Sequence, residues 1–170
     1  MKKILLIALI FIGAFNASAQ RFAYVDTDYI LKKLPAYSEA QKKLDATAAT
    51  WKEEIDLKFQ NVAKLYEKFQ QEKFLLTEEM KTKREEEIVA KEAEANKLQK
   101  DRFGFEGELY KKRKELVQPI QDKVFDAIQK LATTRGYDFI FDKSSGGSSM
   151  LYSNPTYDLS DQILKNLGIN

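Results

Sequence analysis

The chain has no cysteine and no histidine. Thiol nucleophiles, imidazole bases and the usual zinc ligands are therefore excluded, and no disulfide can staple the fold. Turn formers are scarce as well: there are 7 glycines and 3 prolines in 170 residues, and only Gly104 and Gly107 fall between Pro35 and Pro119. A compact domain needs a turn every 10 to 20 residues or so, so this middle stretch does not read as a globule. Net charge is nearly absent. The total is +2, and Lys2 and Lys3 account for both charges (28 − 2 = 26 basic against 26 acidic). A primary nucleic-acid partner, which calls for a basic patch or stripe, is disfavoured. Gly146-Gly147 is followed by Ser148-Ser149-Met150, not by Gly-Lys-Ser/Thr, so it is no phosphate-binding loop. Asp26 and Asp28 read as turn caps, not as a catalytic carboxylate pair. We expect no catalytic residue, no metal and no cofactor.

One apolar run is present. Lys2 and Lys3 precede Ile4–Phe15, and Ala17-Ser18-Ala19 follows with the small-x-small pattern of a signal-peptidase site. The run would span roughly 18 Å as a helix, too little for a bilayer core of about 30 Å. No cysteine follows it to carry a lipid. The reading is a signal peptide over residues 1–19, with a soluble, exported chain beginning near Gln20.

From Gln20 the pattern is α+β and mostly helical. Phe22–Asp26 reads as a strand, and Asp26 to Asp28 as the cap of a short helix through Tyr29, Ile30 and Leu31, ended by Pro35. Ala40, Leu44, Ala48, Trp51, Ile55, Phe59, Val62, Tyr66 and Phe69 then recur at steps of 3 and 4, the signature of a coiled-coil seam. Phe74-Leu75-Leu76 breaks the seam, and Thr77-Glu78-Glu79 reads as a new N-cap with acids in its first turn. The tip of an antiparallel hairpin belongs near residues 74–80. Ile88, Ala95, Leu98, Phe105, Leu109, Leu116 and Ile120 form the returning stripe, with Pro119 expected to kink or break it. Each arm holds about 40 residues, or roughly 60 Å, which places Trp51 opposite about Phe105, flanked by Gly104 and Gly107. Those glycines read as room for the indole or as a bend. Glu54-Lys58 and Glu87-Lys91 read as surface pairs. Gly136 reads as a helix stop, Tyr137–Asp142 as a strand, Ser149–Tyr152 as a matching strand, and Asp158 as the cap of a last helix ended by Gly168.

The expected organisation is a β-rich oligomerisation body built from residues 20–35 and 120–170, carrying a long helical hairpin arm over 36–119. The body is assigned Phe22, Tyr24, Val25, Tyr137, Phe139, Ile140, Phe141, Leu151 and Tyr152. The hairpin seam is assigned Leu44, Trp51, Ile55, Phe59, Val62, Tyr66, Leu98, Phe105 and Leu109. Three short strands make a marginal sheet with open edges, so partners are expected. Phe74, Leu75, Leu76, Phe103 and Phe69 are the candidate contacts for an unfolded client, whose strand segments expose one apolar face.

Taken in order, the signal peptide, Phe22-Ala23-Tyr24-Val25-Asp26, the charged hairpin and the closing unit resemble the Skp/OmpH family of periplasmic chaperones. That closing unit runs Gly136-Tyr137-Asp138-Phe139-Ile140-Phe141-Asp142, Leu151-Tyr152 and Asp158-Leu159-Ser160-Asp161-Gln162-Ile163-Leu164. The resemblance covers the whole exported chain. It implies a periplasmic homotrimer with a small β-barrel body and three tentacles around a cavity, and an ATP-independent holdase that captures unfolded outer-membrane proteins. One feature departs from the family: its best-known members have strongly basic arms, whereas here Ser38 to Leu116 holds about as many acids as bases. Carry-over of lipopolysaccharide or anionic-membrane binding is weakened accordingly. A structural coiled-coil spacer or adaptor of the cell envelope is the competing reading, and it predicts a folded partner.

Overall fold

The computed structural model describes residues 20–144 and 150–169. The expected signal peptide and most of the Ser-Gly stretch after Ser144 lie outside them. In chain order the elements are β1 (Phe22–Val25), α1 (Thr27–Lys33), α2 (Pro35–Glu72), α3 (Glu78–Phe103), α4 (Glu108–Arg135), β2 (Phe139–Asp142) and α5 (Ser160–Asn166). They fall into two units: the segments up to Lys33 and from Val124 onward form a base, and Leu34–Lys123 forms an arm.

In the base, β1 and β2 pair in parallel, Phe22 beside Phe139 and Val25 beside Asp142. A single bridge, Tyr24 to Asp158, extends the other edge of β1. Asp26 Oδ1 accepts from Tyr29 N at 2.9 Å, capping α1. Below the strands, α1 packs on α5, burying Ile30, Leu31, Ile163 and Leu164 with Ala23, Tyr24 and Val25. Ser160 is buried with them, and its hydroxyl accepts from Asp26 N at 2.9 Å, so it brings no unsatisfied polar group into the core. Both glycine stops close their helices in the left-handed conformation: Gly136 at φ 65° with Tyr137 N donating to Ala132 O, and Gly168 at φ 81° with Ile169 N donating to Leu164 O. These are Schellman closures, which favour glycine because a Cβ is strained at positive φ.

In the arm, Pro35 opens α2 at a position where its missing N–H costs nothing. The chain reverses through a 3-10 turn over Lys73–Leu75, and Thr77 caps α3 by accepting from Met80 N at 3.3 Å. From Trp51 onward the half-buried and buried positions of α2 include Trp51, Ile55, Lys58, Val62, Leu65, Phe69 and Glu72, an alternation of 4 and 3, with Phe59 half-buried beside Lys58. Those of α3 run Lys81, Arg84, Ile88, Lys91, Ala95, Leu98 and Arg102, with the same alternation. Thus four of the seven inner positions of α3 are basic. The aliphatic stems of Lys81, Arg84 and Lys91 cover apolar surface while their charged ends stay solvated, so this part of the hairpin has a thin apolar seam. A firmer core sits nearer the start of α2, where Ala40, Leu44 and Val117 are buried among Tyr37, Leu109, Leu116 and Ile120.

Three expectations require correction here. The returning helix is interrupted at Gly104–Gly107, not at Pro119, where α4 runs on. Proline removes the donor to Glu115 O, but Glu115 is an exposed residue, so solvent can serve that carbonyl. The strand expected over Ser149–Tyr152 is absent from its described part, since Met150–Tyr152 are irregular and Leu151 and Tyr152 are exposed. The free side of β1 is met instead by Asp158 and by Leu159 N, which donates to Tyr24 O. Finally, Tyr137 precedes β2 and rests against Arg21, 4.9 Å from guanidinium to ring centre.

Candidate functional site

Among the described residues no group of histidine, cysteine, aspartate and glutamate side chains is placed to hold a metal ion, and none of their helices is long and apolar enough to cross a membrane. What stands out is exposed aromatic and aliphatic surface, in three places.

The first is the hairpin tip. Phe74 is 91 % and Leu75 86 % exposed, with Leu76 half-buried beside them and Met80 exposed on the first turn of α3. The geometry follows from the local sequence: a 3-10 turn is too tight and too short to fold its side chains back on the seam. Phe69, also expected to meet clients, is only 4 % exposed. It occupies a regular inner heptad position and is a seam residue.

The second place is the break after α3. Phe103 stands edge-on to Trp51, ring centres 6.3 Å apart, and remains 40 % exposed. Phe105 is 99 % exposed, carried outward by the irregular turn. Its assignment to the seam is therefore overturned, because the helix that would have aimed it inward has ended. Tyr66 is likewise exposed, and its neighbour Leu65 takes the inner position. The remaining seam assignments are placed inward: Leu44 and Ile55 buried, and Trp51, Phe59, Val62, Leu98 and Leu109 half-buried. The expected surface pairs are redrawn, with Glu54 reaching Arg102 at 3.8 Å, Glu87 meeting Arg84 at 3.2 Å and Lys91 meeting Glu94 at 3.0 Å.

The third place is on the base. Phe22, Phe139 and Phe141 stack at 5.6, 6.3 and 6.4 Å between ring centres, and all three are about half exposed. Alternation along paired strands puts them on one face. Beside them an open groove of ≈ 450 Å³ is lined by Phe22, Tyr24, Phe141, Met150, Tyr152 and Tyr157. Val25 is buried and Ile140 half-buried.

A polar cluster orders the loops of the base. Lys143 Nζ lies 3.6 Å from both Asp26 and Asp158; partial burial works against its charge, but the attraction of the two carboxylates prevails and its pKa is raised. Asp142 accepts from Thr27 and Ser144; burial opposes its ionisation, yet those hydrogen bonds hold the carboxyl below its usual range. Tyr29 donates to Asp161 at 3.0 Å, which raises the phenol. These contacts tie α1, β2 and the segment before α5 together, and the sequence offers no signal for Lys143 beyond its place after β2. Arg102 was also missed, because an arginine in a charged helix carries no mark of an inner position.

The model of the OmpH-like outer membrane protein family matches residues 21–167. The chain belongs to this family. Among curated relatives, the chaperone protein Skp of Photorhabdus luminescens is 27 % identical over 167 residues, 96 % of this chain and 99 % of that one. Among solved structures, the crystal structure of an OmpH-like outer membrane chaperone from Caulobacter crescentus superposes with a TM-score of 0.69 at 10 % identity, covering 89 % of this chain and 86 % of the other. That likeness speaks for the OmpH-like fold: mostly helical, with a long hairpin and a small sheet near the chain ends.

Proposed function

We propose that this OmpH-like chain is an ATP-independent holdase of the periplasm, binding unfolded outer-membrane proteins and keeping them from aggregating. Family membership supports the chaperone class, and the export pattern of the first nineteen residues supports the compartment. The observation that carries the reading is the tip, where two adjacent large apolar side chains stand almost wholly in water. Each fully buried side chain of that size stabilises a contact by about 1.5–3 kcal/mol, enough for weak capture of an apolar strand. Several arms acting together raise the effective concentration without a deep pocket. Release then needs no nucleotide. The stacked face of Phe22, Phe139 and Phe141 supports oligomerisation through the base, with a trimer as the proposed number.

The test is light scattering from a denatured outer-membrane barrel protein diluted into buffer without nucleotide. The wild-type chain is expected to suppress aggregation, and Phe74→Ser/Leu75→Ser/Leu76→Ser to suppress it several-fold less while keeping the wild-type helical signal. Full suppression by the variant removes the tip from the mechanism. No suppression by the wild type would favour a spacer or adaptor.

A further inference from the structure

We infer that Gly104–Gly107 is a joint within the arm and that Arg102 is its latch. The joint is written into the backbone. Gly104 is extended, at φ −67° and ψ 175°, and Glu106 is left-handed, at φ 55°. A Cβ on Gly104 would lie 2.4 Å from Lys100 O, and one on Gly107 would lie 2.9 Å from both Asp101 O and Gly104 O. Those neighbours are main-chain atoms, which cannot swing aside as a side chain can. The break therefore depends on two glycines at defined places. A short segment between two helices is where a small change in φ and ψ re-aims one helix against the other.

Arg102 sits on the last turn of α3 and reaches both neighbours. Its guanidinium lies 4.4 Å from the centre of the Trp51 ring and 3.8 Å from Glu54, both on α2. It also pairs with Glu108, the first residue of α4. One side chain thus ties three helices at the point where the backbone continuity of two of them fails. Arg102 Nε is buried without a hydrogen-bond partner among the described residues, so the latched arrangement leaves one donor unserved. A latch with that deficit can open. Elsewhere the inner positions of α3 offer little resistance, being largely Lys and Arg. Opening frees Phe103 from Trp51 together with the guanidinium and adds aromatic surface next to Phe105. The use of that surface in client capture rests on the holdase reading; the joint does not.

Trp51 is the chain's single tryptophan, so its fluorescence reports the latch in the full mature protein with no client present. Arg102→Gln is expected to shift Trp51 emission to the red and to raise its acrylamide quenching constant at least two-fold, with Arg102→Lys intermediate. Glu108→Gln, which releases only α4, is expected to speed amide exchange at 104–111 while leaving Trp51 quenching unchanged. Unchanged quenching in Arg102→Gln overturns the latch, as does an equal rise in exchange across all of α2 and α4, the mark of general destabilisation. Should Arg102→Gln fail to fold, the wild type decides: amides 104–111 are expected to exchange at least ten-fold faster than those of Val117–Leu131, and equal rates overturn the joint. Neither readout depends on the aggregation assay, so either idea can fail alone.

Discussion

At the scale of single residues, positive φ and buried contacts set the sharpest expectations. Gly136 closes α4 at φ 65° with open space around its missing Cβ, the nearest atom being Arg21 Nη1 at 4.0 Å. Gly136→Ala therefore meets only backbone strain, and we expect a loss of about 1 kcal/mol in urea unfolding. Phe69, by contrast, fills an inner position. Phe69→Ala should cost about 3–5 kcal/mol, read as a lower denaturation midpoint. Asp142 gives a pH signature. Its pKa is lower folded than unfolded, so it contributes stability above the unfolded value, and that contribution disappears as pH falls through the folded one. Below about pH 4 the wild type should lose stability more steeply than Asp142→Asn, as measured by acid titration of the aromatic circular dichroism.

Among elements, α2 and α3 differ in how plainly they announce themselves. The inner face of α2 is legible because Trp51, Ile55, Val62 and Phe69 are large and apolar at helical spacing. Its phase slips at Leu65-Tyr66, where two apolar residues are adjacent and periodicity cannot choose between them; the regular alternation running on to Phe69 and Glu72 chooses Leu65. The inner face of α3 is nearly invisible, since Lys81, Arg84, Lys91 and Arg102 look like solvated charges. In the sequence Pro119 looks the more disruptive, but the glycine pair ends the helix. Pro119 costs one hydrogen bond at an exposed turn, whereas the Gly104–Gly107 geometry cannot accept a Cβ. The turn at Lys73–Leu75 lies where Phe74-Leu75-Leu76 precedes a Thr-Glu-Glu cap, three apolar residues with no helix face to join. The thin seam leads to a further prediction. Lys91→Leu puts a branched apolar side chain at an inner position and should raise the thermal midpoint, by an amount corresponding to about 1 kcal/mol. A wild-type midpoint would mean that the lysine stem already covers the seam as well as leucine does.

For the whole molecule, the apolar surface left on the base matters most. Phe22, Phe139 and Phe141 form a stacked face that a lone chain would leave in water, as monomers rarely do with contiguous apolar patches. Under the proposed oligomerisation through the base, Phe22→Ser/Phe139→Ser/Phe141→Ser is expected to lower the mass in light scattering to that of a monomer with the arm's helical signal retained, while the tip variant keeps the wild-type mass. The base is also where sequence reading was least complete. Its strands were visible from their aromatic and β-branched residues, but their parallel pairing and the bridge to Asp158 are long-range facts that no local pattern encodes.

That parallel pairing has a consequence for the order of assembly. Paired residues of β1 and β2 stand 117 positions apart (139 − 22), so closing the base requires a long loop to be drawn in, whereas the arm is contiguous in sequence and can zip from its own turn. Refolding should accordingly show Trp51 fluorescence recovering before the tyrosine and phenylalanine signals of the base. Whether the chain is being made or threaded across a membrane, β1 comes before β2 and must wait, unpaired, for its partner to follow. A waiting strand is a hazard in proportion to its length, and at four residues this one offers a stranger very little to grip.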